Sequence, residues 1–438
     1  MKPLLSPILL LAVGLQVSAV SASEYLVERR PDVSTLAHLE SLPDIQVLRS
    51  FEAFGKTYDV VVAPSLGAFV SRAAAPLART LWKKIEPNHS YMLLMGAAEP
   101  AAPSKPDDLS DFVPRPLLPN DTLFNSLWGL LNYGQDLAQK GRRHMDAAVA
   151  QAWTLHRGSR NVVVGVVDTG VDYRHSDLRA NLWSTTNSRG KLSFGWDALN
   201  QDDDPMDGHR HGTHVAGTIG AVGNNGIGVT GVNWTSRMAS VQIFDAKGAT
   251  SSDAILRALD WLYRQRDEIR VVNHSWGGDG YSAILQEAFT KLDNDGVINV
   301  FAAGNDSARL KAEDVGKDAG FYPAMFPLKN SIVVASFNNQ GQRSTFSNYG
   351  PDLVDLAAPG EEIYSTVPKG AYKRLSGTSM AAPHVTGAVA LLMSYRPELS
   401  PKQVKEHILG FADETPSLMS TSFRGRRLNV YRALLGRN

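Results

Sequence analysis

The chain has 438 residues, 43% of them hydrophobic and 20% charged, the make-up of a globular protein with room for one large domain and accessory segments. Its 44 lysines and arginines balance 44 aspartates and glutamates, so net charge points neither to nucleic acid nor to an anionic membrane surface, and neither is expected as a partner. There is no cysteine, which excludes disulfide staples and a cysteine nucleophile and leaves packing or bound ions to supply stability.

The first residues read as a secretory signal. Lys2 gives a basic start, Leu4 to Leu15 an apolar stretch, and Val17-Ser18-Ala19 or Val20-Ser21-Ala22 a small-residue cleavage site. The apolar run is well short of the roughly 20 residues that cross a bilayer, so a secreted protein, extracellular or periplasmic and without a membrane anchor, is expected. Next, Tyr25-Leu26-Val27 reads as a strand and Val33 to Leu42 as a helix behind Asp32. Ile45 to Phe54 and Tyr58 to Val62 read as a strand pair around Gly55, Pro76 to Ile85 as a second helix, and Tyr91 to Leu94 as a closing strand. That order spells a compact βαββαβ unit. Ala97 to Pro119, rich in alanine, proline and acidic residues, has the composition of an exposed linker.

From about Pro119 apolar strands alternate with amphipathic helices. Val162 to Val167, Met238 to Phe244, Ile269 to Asn273, Val297 to Ala303 and Ile332 to Ser336 are near-continuous apolar runs, as strands buried on both faces of a parallel sheet should be. Between and after them lie helical patterns at Asp253 to Arg266, Ser282 to Asn294, Val385 to Tyr395 and Asn429 to Leu435. A single α/β domain with helices on both faces of the sheet is expected.

In open α/β sheets functional groups gather where strands end at their carboxyl edge. Asp168 ends the run from Val162 and is followed by the turn Thr169-Gly170. By itself such an aspartate is more often a turn or cap residue. His211-Gly212-Thr213-His214-Val215-Ala216-Gly217 comes next, small and apolar residues able to start a tightly packed helix with His211 at its mouth. Histidines at 209, 211 and 214 invite a zinc reading, but the H-E-x-x-H arrangement is absent and no glutamate stands nearby as base. Gly377-Thr378-Ser379-Met380-Ala381-Ala382-Pro383-His384 then enters a long helix, which places a serine hydroxyl beside helix N-terminal N–H groups, with Pro383 tolerated in a first turn. A serine attacks a carbonyl when a base takes its proton and a buried carboxylate orients that base. Asp168, His211 and Ser379 supply those roles, in the chain order Asp, His, Ser of subtilisin.

With all three motifs in order, Val167-Asp168-Thr169-Gly170-Val171-Asp172, the His211 run and the Ser379 run, the chain from roughly Leu123 onward resembles the subtilisin-like serine proteases, the subtilases. The resemblance implies endopeptidase activity through an acyl-enzyme, on a three-layer α/β domain with a mostly parallel central sheet. It also implies Asn305 as side-chain donor of an oxyanion hole beside the Ser379 N–H. Protein or peptide substrates would pair with Gly248-Ala249-Thr250 and Ser275-Trp276-Gly277, their P1 side chain lying between Ser275 to Gly277 and Ala302-Ala303-Gly304, with Phe321 near the pocket floor.

By the same resemblance the βαββαβ unit is an inhibitory α+β prodomain, the chain's own intramolecular inhibitor. The expected layout is signal peptide 1–22, prodomain 23–95, linker 96–118 and catalytic domain 119–438, working as a monomer. Asp121, Asp177 and the loop Asn224 to Val229, with Asn225, Ile227 and Val229 as ligands, resemble the family's strong calcium site. The acidic loop Asp197 to Asp207 is open to a second ion or to a solvated turn. Two rivals stand beside this reading. One is a catalytically inactive binding protein on the same fold. The other is a lipase or esterase, disfavoured by the lack of a G-x-S-x-G elbow around Ser379.

Overall fold

The computed structural model describes residues 24–31, 45–63, 82–93, 109–137, 139–186 and 190–436. The expected secretion signal, the helix from Val33 to Leu42 and the first part of the linker lie outside the described residues. Two compact units divide the chain, Met1–Ser50 with Asp59–Pro87 and Phe51–Tyr58 with Asn88–Asn438.

The first unit is built on a four-stranded sheet. Its strands β1 (Glu24–Arg29), β2 (Gln46–Ala53), β3 (Lys56–Val62) and β4 (Trp82–Pro87) lie in the order β2-β3-β1-β4. β4 runs antiparallel to β1, with Val27 opposite Ile85 and Leu26 opposite Glu86. Tyr25, Val27, Val61, Ala63 and Trp82 form its core. The buried Asp59 carboxylate accepts from Arg29 Nε at 2.9 Å, Ser50 Oγ at 2.6 Å and Trp82 Nε1 at 3.3 Å, the full pairing a dry charge requires.

Two expectations are corrected here. Residues 82–85, expected to end a helix begun at Pro76, open β4 instead. Apolar residues spaced as Trp82 and Ile85 suit a helix face as well as a strand, and the pairing with β1 decides between them. Tyr91 is likewise not the closing strand of this sheet. It lies in β5 (Ser90–Met92), which belongs to the second unit.

The second unit carries a nine-stranded sheet among the described residues. Its strands are β6 (Gly158–Asp168), β7 (Gly195–Asp197), β8 (Thr235–Gln242), β10 (Ile269–His274), β11 (Ile298–Ala302), β12 (Ile332–Phe337), β13 (Leu356–Pro359), β14 (Asp413–Glu414) and β15 (Arg426–Arg427). β9 (Ala249–Ser251) stands apart and pairs with β5. The sheet order is β14-β15-β13-β12-β11-β10-β6-β8-β7, parallel except for β14 on β15.

The helices that matter for the site are α1 (His211–Gly220), α2 (Ser252–Arg264), α3 (Ala283–Asn294) and α4 (Thr378–Tyr395). α3 starts where Ser282 accepts from Leu285 N, a side-chain N-cap. Successive strand residues face opposite ways, and the central strands use both faces. A Cβ on Gly165 of β6 would stand 3.2 Å from Leu262 of α2, while one residue further along the neighbouring strand Asn273 accepts from Thr386 of α4 at 2.8 Å. The sheet is therefore covered on both sides, which is why its strands are apolar throughout.

α4 is buried from Thr378 to Leu392 and contains Pro383 at its sixth residue, one turn deeper than a first-turn position. A proline there has no N–H for the carbonyl four residues back, that of Ser379. Ser275 Oγ supplies the missing donor at 2.8 Å. The exposure expected of the linker does not hold at its described end, which begins at Leu109. Leu109 and Phe112 are buried, and Phe112 packs on the His144 ring at 4.2 Å, so this end of the segment is anchored by its two apolar side chains.

Candidate active site

β6 ends at Asp168 and β10 at His274, while β11 leads through Ala302 to Asn305, so the carboxyl edge of three adjacent strands gathers the expected residues. His211 is the first residue of α1, and its Nδ1 donates to Asp168 Oδ1 at 2.7 Å with both side chains fully buried. The carboxylate can only accept, so a proton sits on Nδ1, and in the neutral imidazole this tautomer leaves the lone pair on Nε2. Nε2 has no hydrogen-bond partner. Glycine makes this approach possible: a Cβ on Gly212 would stand 2.1 Å from Gly170 O and 3.0 Å from Asp168 Cβ.

Asp207 holds the start of α1 in place. Its carboxylate accepts from Thr169 Oγ1, His209 N, Arg210 N, Thr213 N and Thr213 Oγ1 at 2.6 to 3.0 Å, and Thr169 Oγ1 in turn accepts from Gly212 N. Burial raises its pKa against the opposing pull of these donors. The sequence showed Asp207 only as the end of an acidic loop. One partner, Thr169, lies 38 residues away, while the other donors lie two to six residues ahead, and the usable signal is an aspartate just before the unpaired N–H groups of a helix start. Asp197 is similarly engaged with Leu199 N, Asn200 N and Asn200 Nδ2. These two carboxylates of the acidic loop thus serve their own backbone.

Ser379 is the second residue of α4 and 4% exposed. Its Oγ donates to Ser275 O at 2.9 Å, and Ser275 Oγ donates back to Ser379 O, a reciprocal pair. No hydrogen bond joins Ser379 Oγ to His211. Such bonds are often unmade without substrate. Asn305 Oδ1 accepts from Thr378 N at 2.8 Å and Thr378 Oγ1 at 2.9 Å. A backbone N–H only donates, so the orientation of the amide is set and Nδ2 points the other way. A Cβ built on Gly377 would lie 3.4 Å from that Nδ2 and 3.6 Å from Ser379 N, so both nitrogens border the same space beside the glycine.

A pocket adjoins this spot, lined by Ser275, Trp276, Gly277, Ala302, Gly304, Asn305, Phe321, Thr378 and Ser379. Of the expected P1 residues only Ala303 is not in this lining. Its N–H goes to Val334 O and its carbonyl accepts from Asn348 Nδ2. The Phe321 ring packs between two glycines: a Cβ would meet its Cζ at 2.4 Å from Gly277 and 3.0 Å from Gly304. Ala249 and Thr250 lie in β9, whose partner β5 pairs Met92 with Ala249 and Tyr91 with Thr250, antiparallel, and Leu93 N reaches Gly248 O at 3.3 Å. Tyr91 is buried with its ring 5.9 Å from that of Trp276.

The residues expected to hold calcium also converge. Asp177 Oδ1 accepts from Asn225 Nδ2 at 2.6 Å and Oδ2 from Val229 N at 2.9 Å, while Asn225 Oδ1 accepts from Ile227 N. Asp121 Oδ2 accepts from Asn224 N, but its buried Oδ1 has no partner. Burial and the charge of Asp177 raise the Asp121 pKa to about 6, and burial raises that of Asp177. An orphaned buried carboxylate oxygen beside a second carboxylate fits a hard cation. Among the described residues no three histidine, cysteine or acidic side chains gather where they would hold a metal. His214 turns its Nε2 to Ile363 O and Lys373 O at 2.9 and 3.1 Å, which commits it to backbone.

A family model described as "Subtilase family" matches residues 159–425. Thermitase of Thermoactinomyces vulgaris is 35% identical over 316 residues, covering 72% of this chain and 99% of that protein. Subtilisin amylosacchariticus of Bacillus subtilis subsp. amylosacchariticus is 36% identical over 263 residues, 60% of this chain, and the match spans 62% of that relative's length. Among solved structures, fervidolysin from Fervidobacterium pennivorans, described as a keratinolytic enzyme related to subtilisin, superposes with a TM-score of 0.70 at 26% identity, over 94% of this chain and 61% of that one.

Three buried histidines around the site refuse protons. Burial lowers the pKa of His214 and His274 to about 3 and of His384 to about 4. Unfolded histidines bind protons below about pH 6.5, so unfolding takes up protons there and stability falls with pH until the folded values are reached. His274→Gln should therefore flatten the fall in unfolding free energy between pH 6 and pH 4 by about 1.4 kcal/mol per pH unit. Denaturant titrations in a Ser379→Ala background measure this, and an unchanged slope would show that His274 takes up no proton on unfolding.

Proposed function

This chain belongs to the subtilase family, and from that premise we propose that it is a secreted serine endopeptidase, made as a self-cleaving zymogen and stabilised by calcium. One observation carries the reading: the buried Asp168–His211 pair, the Ser379 hydroxyl and the two donors Asn305 Nδ2 and Ser379 N meet at one sheet edge beside a pocket.

The Ser379 hydroxyl turns from Ser275 O toward His211 Nε2 and attacks the substrate carbonyl as Nε2 takes its proton. Asp168 keeps the proton on Nδ1 and stabilises the imidazolium. The oxyanion of the tetrahedral intermediate is received by Asn305 Nδ2 and the Ser379 N–H, donors already pointed at it by Thr378 and by the helix start. The imidazolium then protonates the leaving amine, and water repeats the sequence on the acyl-enzyme.

Substrate backbone pairs with β9 as β5 does, so residues 23–95 act as prodomain whose end occupies the substrate strand, 96–118 as linker and 119–438 as catalytic domain. Asp121, Asp177 and Asn225, with the Ile227 and Val229 carbonyls, would hold calcium, which when bound neutralises the two carboxylates. The working form is a monomer acting on proteins or peptides.

Ser379→Ala should be secreted as a precursor retaining residues near Tyr25. N-terminal sequencing decides it, and normal maturation without added protease would assign the cleavage to another enzyme.

Because the Phe321 ring shortens the pocket, small or medium P1 side chains should be favoured. Phe321→Gly should raise kcat/KM for aromatic P1 peptides relative to alanine ones, and an unchanged P1 profile would remove Phe321 from specificity.

EGTA should lower the melting temperature and speed self-digestion, since an ion at a thousand times its dissociation constant stabilises by about 4 kcal/mol. Asp177→Ala should abolish most of that response while leaving initial turnover near parent level. A parent-like response to calcium would place the ion elsewhere.

A further inference from the structure

Asn348 is 1% exposed and lies outside all three motifs, 31 residues before Ser379. Its side chain fills the loop that carries Asn305. Nδ2 donates to Ala303 O at 3.0 Å, while Oδ1 accepts from Asp306 N and from Ala308 N, each at 2.9 Å. Its own N–H donates to Gly304 O at 2.9 Å. The peptide groups immediately before and after Asn305 are thus held by one residue. Gly304, at φ +103°, admits the amide: a Cβ there would stand 2.3 Å from Asn348 Nδ2. Asparagine suits this position because one amide atom donates, to Ala303 O and at 3.5 Å to Asp306 Oδ2, while the other accepts twice; an ionised aspartate has no proton to donate.

We propose that Asn348 is a positioning residue for the oxyanion donor, fixing the Asn305 backbone so that Nδ2 stays aligned with the Ser379 N–H. This rests on the endopeptidase reading. Thr378 orients the Asn305 amide about its side-chain bonds. Asn348 places the α-carbon from which that amide extends. Both constraints are needed, because a donor displaced by about 1 Å loses a large part of its transition-state contribution.

The test is a double-mutant cycle on a chromogenic peptide, with each variant matured in trans and its folded fraction checked by melting. Asn348→Ala is expected to lower kcat by about tenfold to a hundredfold with KM changed less than about threefold. In the Asn305→Ala background the same substitution is expected to change kcat by less than about threefold, because the donor it positions is gone. A parent-like kcat in Asn348→Ala, or an undiminished further loss in the Asn305→Ala background, overturns the proposal. Asn348→Asp keeps the two acceptor bonds and is carried through the same cycle, and it decides the question where Asn348→Ala is not recovered folded. Ser379→Ala separates the two readings. If it still turns over the peptide, the endopeptidase reading falls and this inference with it. If it is inactive while the cycle is additive, only the role of Asn348 falls.

Discussion

The hydrogen bond between His211 and Asp168 is made entirely out of water, and much of the surrounding architecture follows from that condition. A carboxylate without solvent must be given donors, and Asp168 receives two, the imidazole and the Thr169 N–H, both on Oδ1. The imidazole is the first residue of a helix whose early N–H groups need acceptors, and Asp207 supplies them. The close approach of the two segments requires Gly212 against Gly170. A dry hydrogen-bonded pair, a helix start given its acceptors and two glycines are parts of a single packing solution.

The serine is held by a different device. Pro383 deprives the Ser379 carbonyl of its helical partner, and Ser275 fills the place while its own carbonyl accepts the serine hydroxyl. The end of one strand and the start of the buried helix are thereby locked at the point where chemistry is proposed. Thr378 and Asn348 do the same for the neighbouring strand end, one through the Asn305 side chain and the other through its backbone. Rigid strand ends joined by short side-chain bridges define donor positions better than free loops would.

Without cysteines, the loop from Asn224 to Val229 is tied to the body by carboxylates instead. Asp177 and Asp121 accept from its backbone and amide groups, and the unmatched Asp121 oxygen leaves a site suited to a cation. Burial is the first cause of the raised pKa of both carboxylates, and at Asp121 the charge of Asp177 adds to it. A bound cation would neutralise this buried charge and turn the pair into a tether.

Residues close in the chain carried most of what could be read from the sequence. The apolar runs marked the sheet strands from Val162 to Ser336, Ser282 and Asn429 stood at helix starts where they cap, and the motifs around Asp168, His211 and Ser379 named three residues that the fold draws to one edge. Local spacing suffices there because strand burial and helix capping are properties of a few consecutive residues. The helix expected up to Ile85 and the closing strand expected at Tyr91 fell to pairing partners far along the chain, β1 for the former and β9 for the latter. The Thr169–Asp207 bond, Asn348 and the Ser275–Pro383 relation were illegible for the same reason. Each depends on a hydrogen-bond partner or a missing one across tens of residues, and only the folded chain determines which distant carbonyl or N–H a side chain will meet.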